Sequence, residues 1–358
     1  MATTPTGPIL ESWRAHAEPI AERWSRRCKT FSAVLFGFVL VTALIPVWLP
    51  LSALIDLFVP SQWSRLRFMV AVQVFLAWEV LGLLISLCFW LLPKGSGQTA
   101  RRRDQDLFYA LQWWWGGTFL QMLVKVFELD LQIEGEEAIE DGHIVLLCRH
   151  ASLFDTLVPP ALVSRPYGLR LRYAVKQELQ LDPCFDLFGQ HTPHHFVRRG
   201  AGQTDAEVAE MQHMLTHLGP DDGVVIFPEG TRYTPEKRIR VLERLEERGE
   251  TDLLAHAKRL RHTLPPRLEG VMGLLEHNDT TDVVFCATMG FEGIRKLPDL
   301  LAGTLVGRTI RVAFWRVPVQ EVPVEPEQRI AWLFDRWHHI DDWIEDNLRE
   351  DAKTSASS

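Results

Sequence analysis

VVIFPEGTR, Val224 to Arg232, is an apolar run that ends in a Pro-Glu-Gly turn. A short run rich in β-branched side chains and bounded by turn residues reads as a buried strand. Glu229 and Arg232 then stand at its carboxyl end, the edge where open α/β sheets keep their sites. The same texture recurs on both sides. LDLQIEG (129–135), HIVLLC (143–148), LRYAVK (171–176), HHFVRR (194–199), DVVFCATMGF (282–291) and TIRVAFWRV (309–317) also read as strands. Helical stretches at 152–163, 204–218 and 251–263 fall between them. That alternation predicts an α/β domain over 105–349, with a mostly parallel or mixed sheet flanked by helices. Residues 326–349 form an amphipathic helix with Ile330, Leu333, Phe334, Trp337 and Ile344 toward one side, and 350–358 read as a disordered tail.

Upstream the chain is of another kind. Residues 1–104 read as a membrane region with two apolar segments, about 31–59 and 68–92, each long enough to cross a bilayer core. Pro46 and Pro50 should kink or break the first, and the second carries one acid, Glu79, read as a helix-pair contact. Arginines and lysines at 23–29, 94 and 101–103 flank the pair, which places both ends and the rest of the chain on the cytoplasmic side. The run at 105–127, with three consecutive tryptophans at 113–115, reads as a helix lying in the lipid interface or as a core helix of the following domain. Thirteen tryptophans in 358 residues also point to lipid as a partner.

A formal net charge of -8 argues against nucleic acid. The five cysteines show no pairing or metal-ligand spacing, so neither a disulfide framework nor a zinc site is expected, and a reducing compartment follows. Cys88 and Cys148, inside apolar runs, read as packing residues.

Two segments carry chemistry. In LLCRHASLFDT, His150 follows a strand and Asp155 comes five residues later. If Ser152 caps the next helix, the carboxylate of Asp155 turns back toward one imidazole nitrogen and leaves the other free to take a proton. In the turn at 228–232, Gly230 permits close backbone approach, and Arg232 supplies a cationic fork suited to phosphate. A capped histidine and a salt-bridged turn are the plain structural alternatives.

In this order, about eighty residues apart, the two segments resemble the HxxxxD and FPEGTR boxes of the membrane glycerolipid acyltransferases, which include lysophosphatidic acid and lysocardiolipin-type acyltransferases. YAVKQELQLDP (173–183) is similar to the Lys-x-Glu-Leu stretch after the catalytic box, HHFVRRG (194–200) to the second block, and LPPRLEG (264–270) to a proline-arginine element of longer members. The resemblance implies His150 as general base with Asp155 behind it. It implies Glu229, Gly230, Thr231, Arg232, Lys176 and either Arg199 or Arg198 at the acceptor, with Arg199 favoured. No metal or cofactor is implied; acyl-CoA or acyl carrier protein would be co-substrate, and a lysophospholipid, first of all lysophosphatidic acid, the acceptor. Another lysophospholipid, glycerol 3-phosphate, or lipid binding without turnover are the rivals. This chain departs from the pattern at Arg149, where the family's first box usually begins with asparagine, and in lacking a proline in its candidate fourth block.

Overall fold

A computed structural model describes residues 18–356, except Pro60, Lys94, Ser96, Asp141, 198–211, His213, His217 and 293–296. The described residues open with three helices: α1 (Ile20–Ala43), α2 (Ile45–Phe58) and α3 (Ser64–Leu91). α1 and α2 meet at a bend of 68°. Pro46 in the first turn of α2 explains it, because proline cannot continue the α1 ladder and its ring excludes the preceding turn. α3 is long and apolar enough to cross a membrane, and the bent pair passes the same test only if counted as one span. Cys88 is exposed on α3 rather than packed, whereas Cys148 is buried and all five cysteines are free.

α4 (Gln98–Phe127) runs back along α3 and joins it to the sheet layers. Phe108, Tyr109, Leu111, Leu120, Leu123 and Phe127 are buried along it. That burial selects the core-helix alternative over one lying free in the lipid interface. Trp114 stacks on Trp78 at 5.9 Å, and Trp115 donates to Glu79 at 2.7 Å. Glu79 is therefore the helix-pair contact expected, and it also receives the backbone N–H of Cys184. Gly116 and Gly117 let α4 press against the segment at 159–165: a Cβ on either would fall within 3 Å of Pro160 or Arg165.

Seven strands follow, β1 (Asp130–Glu134), β2 (Ile144–Cys148), β3 (Arg170–Lys176), β4 (His195–Val197), β5 (Asp222–Ile226), β6 (Asp282–Met289) and β7 (Thr309–Val317). They form one sheet in the order β1-β7-β6-β2-β5-β3-β4. Every pairing is parallel except β6 with β7. All seven expected strands are present, and the mixed sheet flanked by helices is the fold class read from the sequence. β2, β5 and β6 are buried on both faces, which is why each reads as a continuous apolar run. Among the described residues the further α-helices are α5 (Pro183–His191), α6 (Pro235–Glu247), α7 (Thr251–Arg259), α8 (Leu268–Glu276), α9 (Leu297–Leu301) and α10 (Pro326–Ala356).

Two helical expectations change. The stretch 152–163 is a 3-10 turn (Leu153–Leu157) followed by one π turn (Pro159–Ser164), because Pro159 and Pro160 remove two backbone donors. Most of the stretch 204–218 lies outside the described residues. α10 continues past 349 to Ala356, so 350–356 is helix and not a disordered tail. Arg311 on β7 grips Asp351 with two bonds of 2.8 and 2.9 Å, which ties down that last stretch.

Candidate active site

β2 and β5 are adjacent and parallel, with Leu147 opposite Ile226, so their carboxyl ends release His150 and the 228–232 turn side by side. The pairing is then fixed by backbone contacts. The His150 N–H donates to Glu229 Oε1 at 2.9 Å, and the Tyr233 N–H donates to the His150 carbonyl at 2.7 Å. The turn thus wraps the histidine.

Ser152 caps the 3-10 turn, as expected, and Asp155 at its third position also completes a capping box. Asp155 is 1% exposed and accepts three hydrogen bonds. Its Oδ2 takes the N–H groups of Ala151 and Ser152, both at 2.6 Å, and its Oδ1 takes the Thr288 hydroxyl at 2.8 Å. His150 Nδ1 lies 3.6 Å from Asp155 Oδ2, an ion-pair distance just beyond a hydrogen bond. That nitrogen is buried and the ring rests on Phe227, with centroids 4.8 Å apart.

Glu229 points inward. It is 2% exposed, and its second oxygen accepts the Leu264 N–H at 3.1 Å. Burial pushes its carboxyl up to about 8, against the pull of Arg149 and the two N–H donors. Both oxygens face donors, and an acid proton would find no acceptor there, so the hydrogen-bond geometry is that of a carboxylate. Glu229 therefore joins the ends of β2 and β5 to the loop at 261–264 and does not reach out toward a ligand.

Gly230, Thr231 and Arg232 form the outward part of the turn. Gly230 has φ +64°, and a Cβ there would lie 2.6 Å from Arg267 Nε, so only glycine admits that guanidinium. Lys237, in the first turn of α6, donates to Thr231 Oγ1 and to the Arg232 carbonyl, both at 2.8 Å. Its pKa is lowered by partial burial and then by Arg232, Lys176 and Arg240 nearby. Arg232 and Arg267 are exposed, and no acidic side chain among the described residues pairs with either. Arg198 and Arg199, the two candidates from the second block, lie outside the described residues. Lys237 and Thr288 were missed by sequence reasoning, and Arg267 was read only as part of the proline-arginine element at 264–270. Lys237 sits in the charged run PEKRIR, which looks like a solvated face, and Thr288 is one more residue of an apolar strand.

The histidines near 191–195 are held by aromatic neighbours. His191 stacks on Phe108 at 3.8 Å, with Nδ1 2.7 Å from Asp104. His194 lies between Tyr173 and Tyr109, and burial holds its pKa down to about 3.

The Acyltransferase family model matches residues 130–260, a span that begins at β1 and takes in His150, Asp155 and the whole 228–232 turn. This stretch is an acyltransferase-family domain. The chain is 26% identical over 233 residues to 1-acyl-sn-glycerol-3-phosphate acyltransferase epsilon of Mus musculus, covering 61% of this chain and 63% of that one. It is 23% identical over 221 residues to lysocardiolipin acyltransferase 1 of Gallus gallus, covering 60% of this chain and 57% of that one. The chain thus spans less than two thirds of the length of these relatives. A crystal structure of the 1-acyl-sn-glycerophosphate acyltransferase of Thermotoga maritima is similar with a TM-score of 0.49 and 14% identity, over 78% of this chain and 95% of that one. The acyltransferase domain here keeps both boxes at the ends of adjacent strands, with Arg149 in place of the usual asparagine.

Proposed function

We propose that this acyltransferase domain transfers a fatty acyl group from acyl-CoA or acyl carrier protein to the hydroxyl of lysophosphatidic acid, giving phosphatidic acid. The observation that carries the reading is the pairing of His150, its buried Nδ1 beside Asp155, with the Gly230–Arg232 turn on the neighbouring strand end. His150 takes the hydroxyl proton on Nε2 as the acceptor oxygen attacks the thioester carbonyl. Asp155, anchored by three donors, faces the imidazolium that forms. The carbon–sulfur bond breaks, and the proton leaves with the thiol; no covalent enzyme intermediate is needed. Arg232, Lys237 and Arg267, with Lys176 close by, attract the acceptor's phosphate, while Glu229 shapes the turn from behind. Arg199 is assigned to the same phosphate by resemblance alone. Catalytic domain and termini are assigned to the cytoplasmic face from the flanking basic residues.

The similarity to a lysocardiolipin acyltransferase supports a second acceptor class, lysophospholipids with a larger headgroup. A panel of labelled lysolipids and glycerol 3-phosphate with acyl-CoA, read by mass spectrometry, decides between them. His150→Ala should lower turnover on the best acceptor by roughly a hundred- to ten-thousand-fold, with the protein still in the membrane fraction. Near-normal turnover would remove the base from the mechanism.

A further inference from the structure

Arg149 is 1% exposed, which is rare for a cation unless several partners surround it. Its guanidinium donates to the Thr288 carbonyl, the Glu292 carboxylate and, at 2.8 Å, the His262 carbonyl. These three partners belong to the end of β6, the loop after it and the loop after α7. Two of them, Thr288 and the loop with His262, lead on to the residues that hold His150. Thr288 gives its hydroxyl to Asp155, and the loop with His262 continues to Leu264, whose N–H holds Glu229. Glu229 in turn holds the His150 N–H.

The charges tell the same story. Burial works against the Arg149 cation, yet Glu292, Glu229 and Asp155 together raise its pKa. The groups acting on it are Glu229 after β5, Asp155 in the 3-10 turn and Glu292 after β6, beside His262, whose carbonyl it holds and whose ring is engaged by Glu345 of α10. Glu292 is 34% exposed, but Asp155 and Glu229 are almost fully buried. Two buried carboxylates beside one histidine need a nearby cation to remain charged.

We propose that Arg149 is a positioning residue for acyl transfer: a buried cation that balances Asp155 and Glu229 and so fixes His150 from both sides. An asparagine at this position can bond a carbonyl but supplies no charge. The proposal rests on the transfer reading above, so its test includes a measurement that needs no turnover.

Arg149→Met removes the charge, Arg149→Lys keeps it without the fork, and Glu292→Gln removes a competing anion. Loss of a positive charge makes protonation of every nearby group easier. In Arg149→Met the acid limb of the kcat/KM profile should therefore move up by about one pH unit. It should move down in Glu292→Gln and stay near wild type in Arg149→Lys, where kcat falls. Melting curves give the second arm. Without the cation, ionising the buried carboxylates costs more, so the melting temperature of Arg149→Met should fall more steeply as pH rises, and that of Glu292→Gln less steeply. Parallel melting curves together with unmoved acid limbs overturn the proposal, whatever happens to overall stability. If Arg149→Met does not fold, the downward shift expected for Glu292→Gln beside the unmoved limb expected for Arg149→Lys still decides it. A wild type inactive on every lysolipid, with melting curves that diverge as stated, would remove the transfer reading alone.

Discussion

Arg232 is exposed at the mouth of the site, held by its backbone to Lys237 while its guanidinium stays clear of any acid among the described residues. Phosphate recognition and a structural turn make different demands on it. A guanidinium gripping phosphate through two parallel hydrogen bonds cannot be replaced by an ammonium. Arg232→Lys should then raise the KM for the lysolipid, with kcat/KM down about ten- to a hundred-fold, equivalent to about 1.5–3 kcal/mol. The acyl donor's KM should change little in the same steady-state assay. An unchanged acceptor KM beside a lowered melting temperature would assign Arg232 to the scaffold. His194 makes a second residue-scale case. Its folded pKa of about 3 lies below the ordinary 6.5, so the fold prefers the neutral ring. That preference contributes fully above pH 6.5 and is lost as pH falls from 6.5 toward 3, at about 1.4 kcal/mol per unit. His194→Gln should flatten the acid side of the melting-temperature profile; an unaltered slope would mean that another group sets it.

The loop at 261–264 shows how one element holds another's chemistry. Asp341 on α10 is 1% exposed and accepts the N–H groups of Arg261 and His262 and the Thr263 hydroxyl, at 2.7 to 3.0 Å. Trp337 donates to the Leu264 carbonyl at 2.9 Å. The same loop supplies the Leu264 N–H to Glu229 and the His262 carbonyl to Arg149. Asp341→Ala leaves these donors buried and unpaired, at a cost of about 3 kcal/mol or more. Hydrogen exchange at 261–264 should quicken and kcat should fall. A lower melting temperature with unchanged exchange in that loop and full kcat would separate α10 from the site. None of this coupling was visible in the sequence. The apolar stripe of α10 was legible because a helix buried on one side repeats its large residues at helical spacing, and Leu333, Phe334, Trp337 and Ile344 are indeed buried. Asp341 has the look of a solvated acid until the fold brings residue 261 to it. The strands were legible for a related reason, since β2, β5 and β6 are covered on both faces. The inward turn of Glu229 was not, because a motif gives a residue's place in the chain but not the direction of its side chain.

The arrangement of α1, α2 and α3 against the catalytic layers bears on how the whole molecule meets the membrane. α3 has 28 residues, a length of about 42 Å. It touches the rest of the protein along most of that length. Near its start, Ser64 donates to the Leu301 carbonyl at 2.6 Å, and Arg67 reaches the Val126 carbonyl and, at 2.7 Å, Glu128. Midway, Trp78 donates to Thr118 and Glu79 accepts from Trp115. A Cβ on Gly82 would collide with Cys184, and farther on Ile85 and Phe89 pack with Phe108 and Phe188. At the start of α1, Arg26 and Arg27 close on the fully buried Asp186 of α5 at 2.9 and 2.6 Å. The outer faces carry Phe36, Val39, Leu51, Leu54, Leu84, Leu87 and Trp90, all exposed. Two full crossings would carry the loop between α2 and α3 to the far side of the bilayer, about 30 Å of hydrocarbon away from Leu301 and Val126. If the contacts at both ends of α3 persist in the membrane, that loop stays on the side of the sheet domain and the apolar outer faces turn into the lipid. Both termini are on one side under either arrangement, so tags at the ends cannot distinguish them. A single cysteine at Gln62, in a chain whose native cysteines are replaced, can. With sealed vesicles and a membrane-impermeant maleimide, it should react from the same side as a tag at the amino terminus. Reaction only from the opposite side would restore two complete crossings and require the Ser64 and Arg67 contacts to open in the membrane.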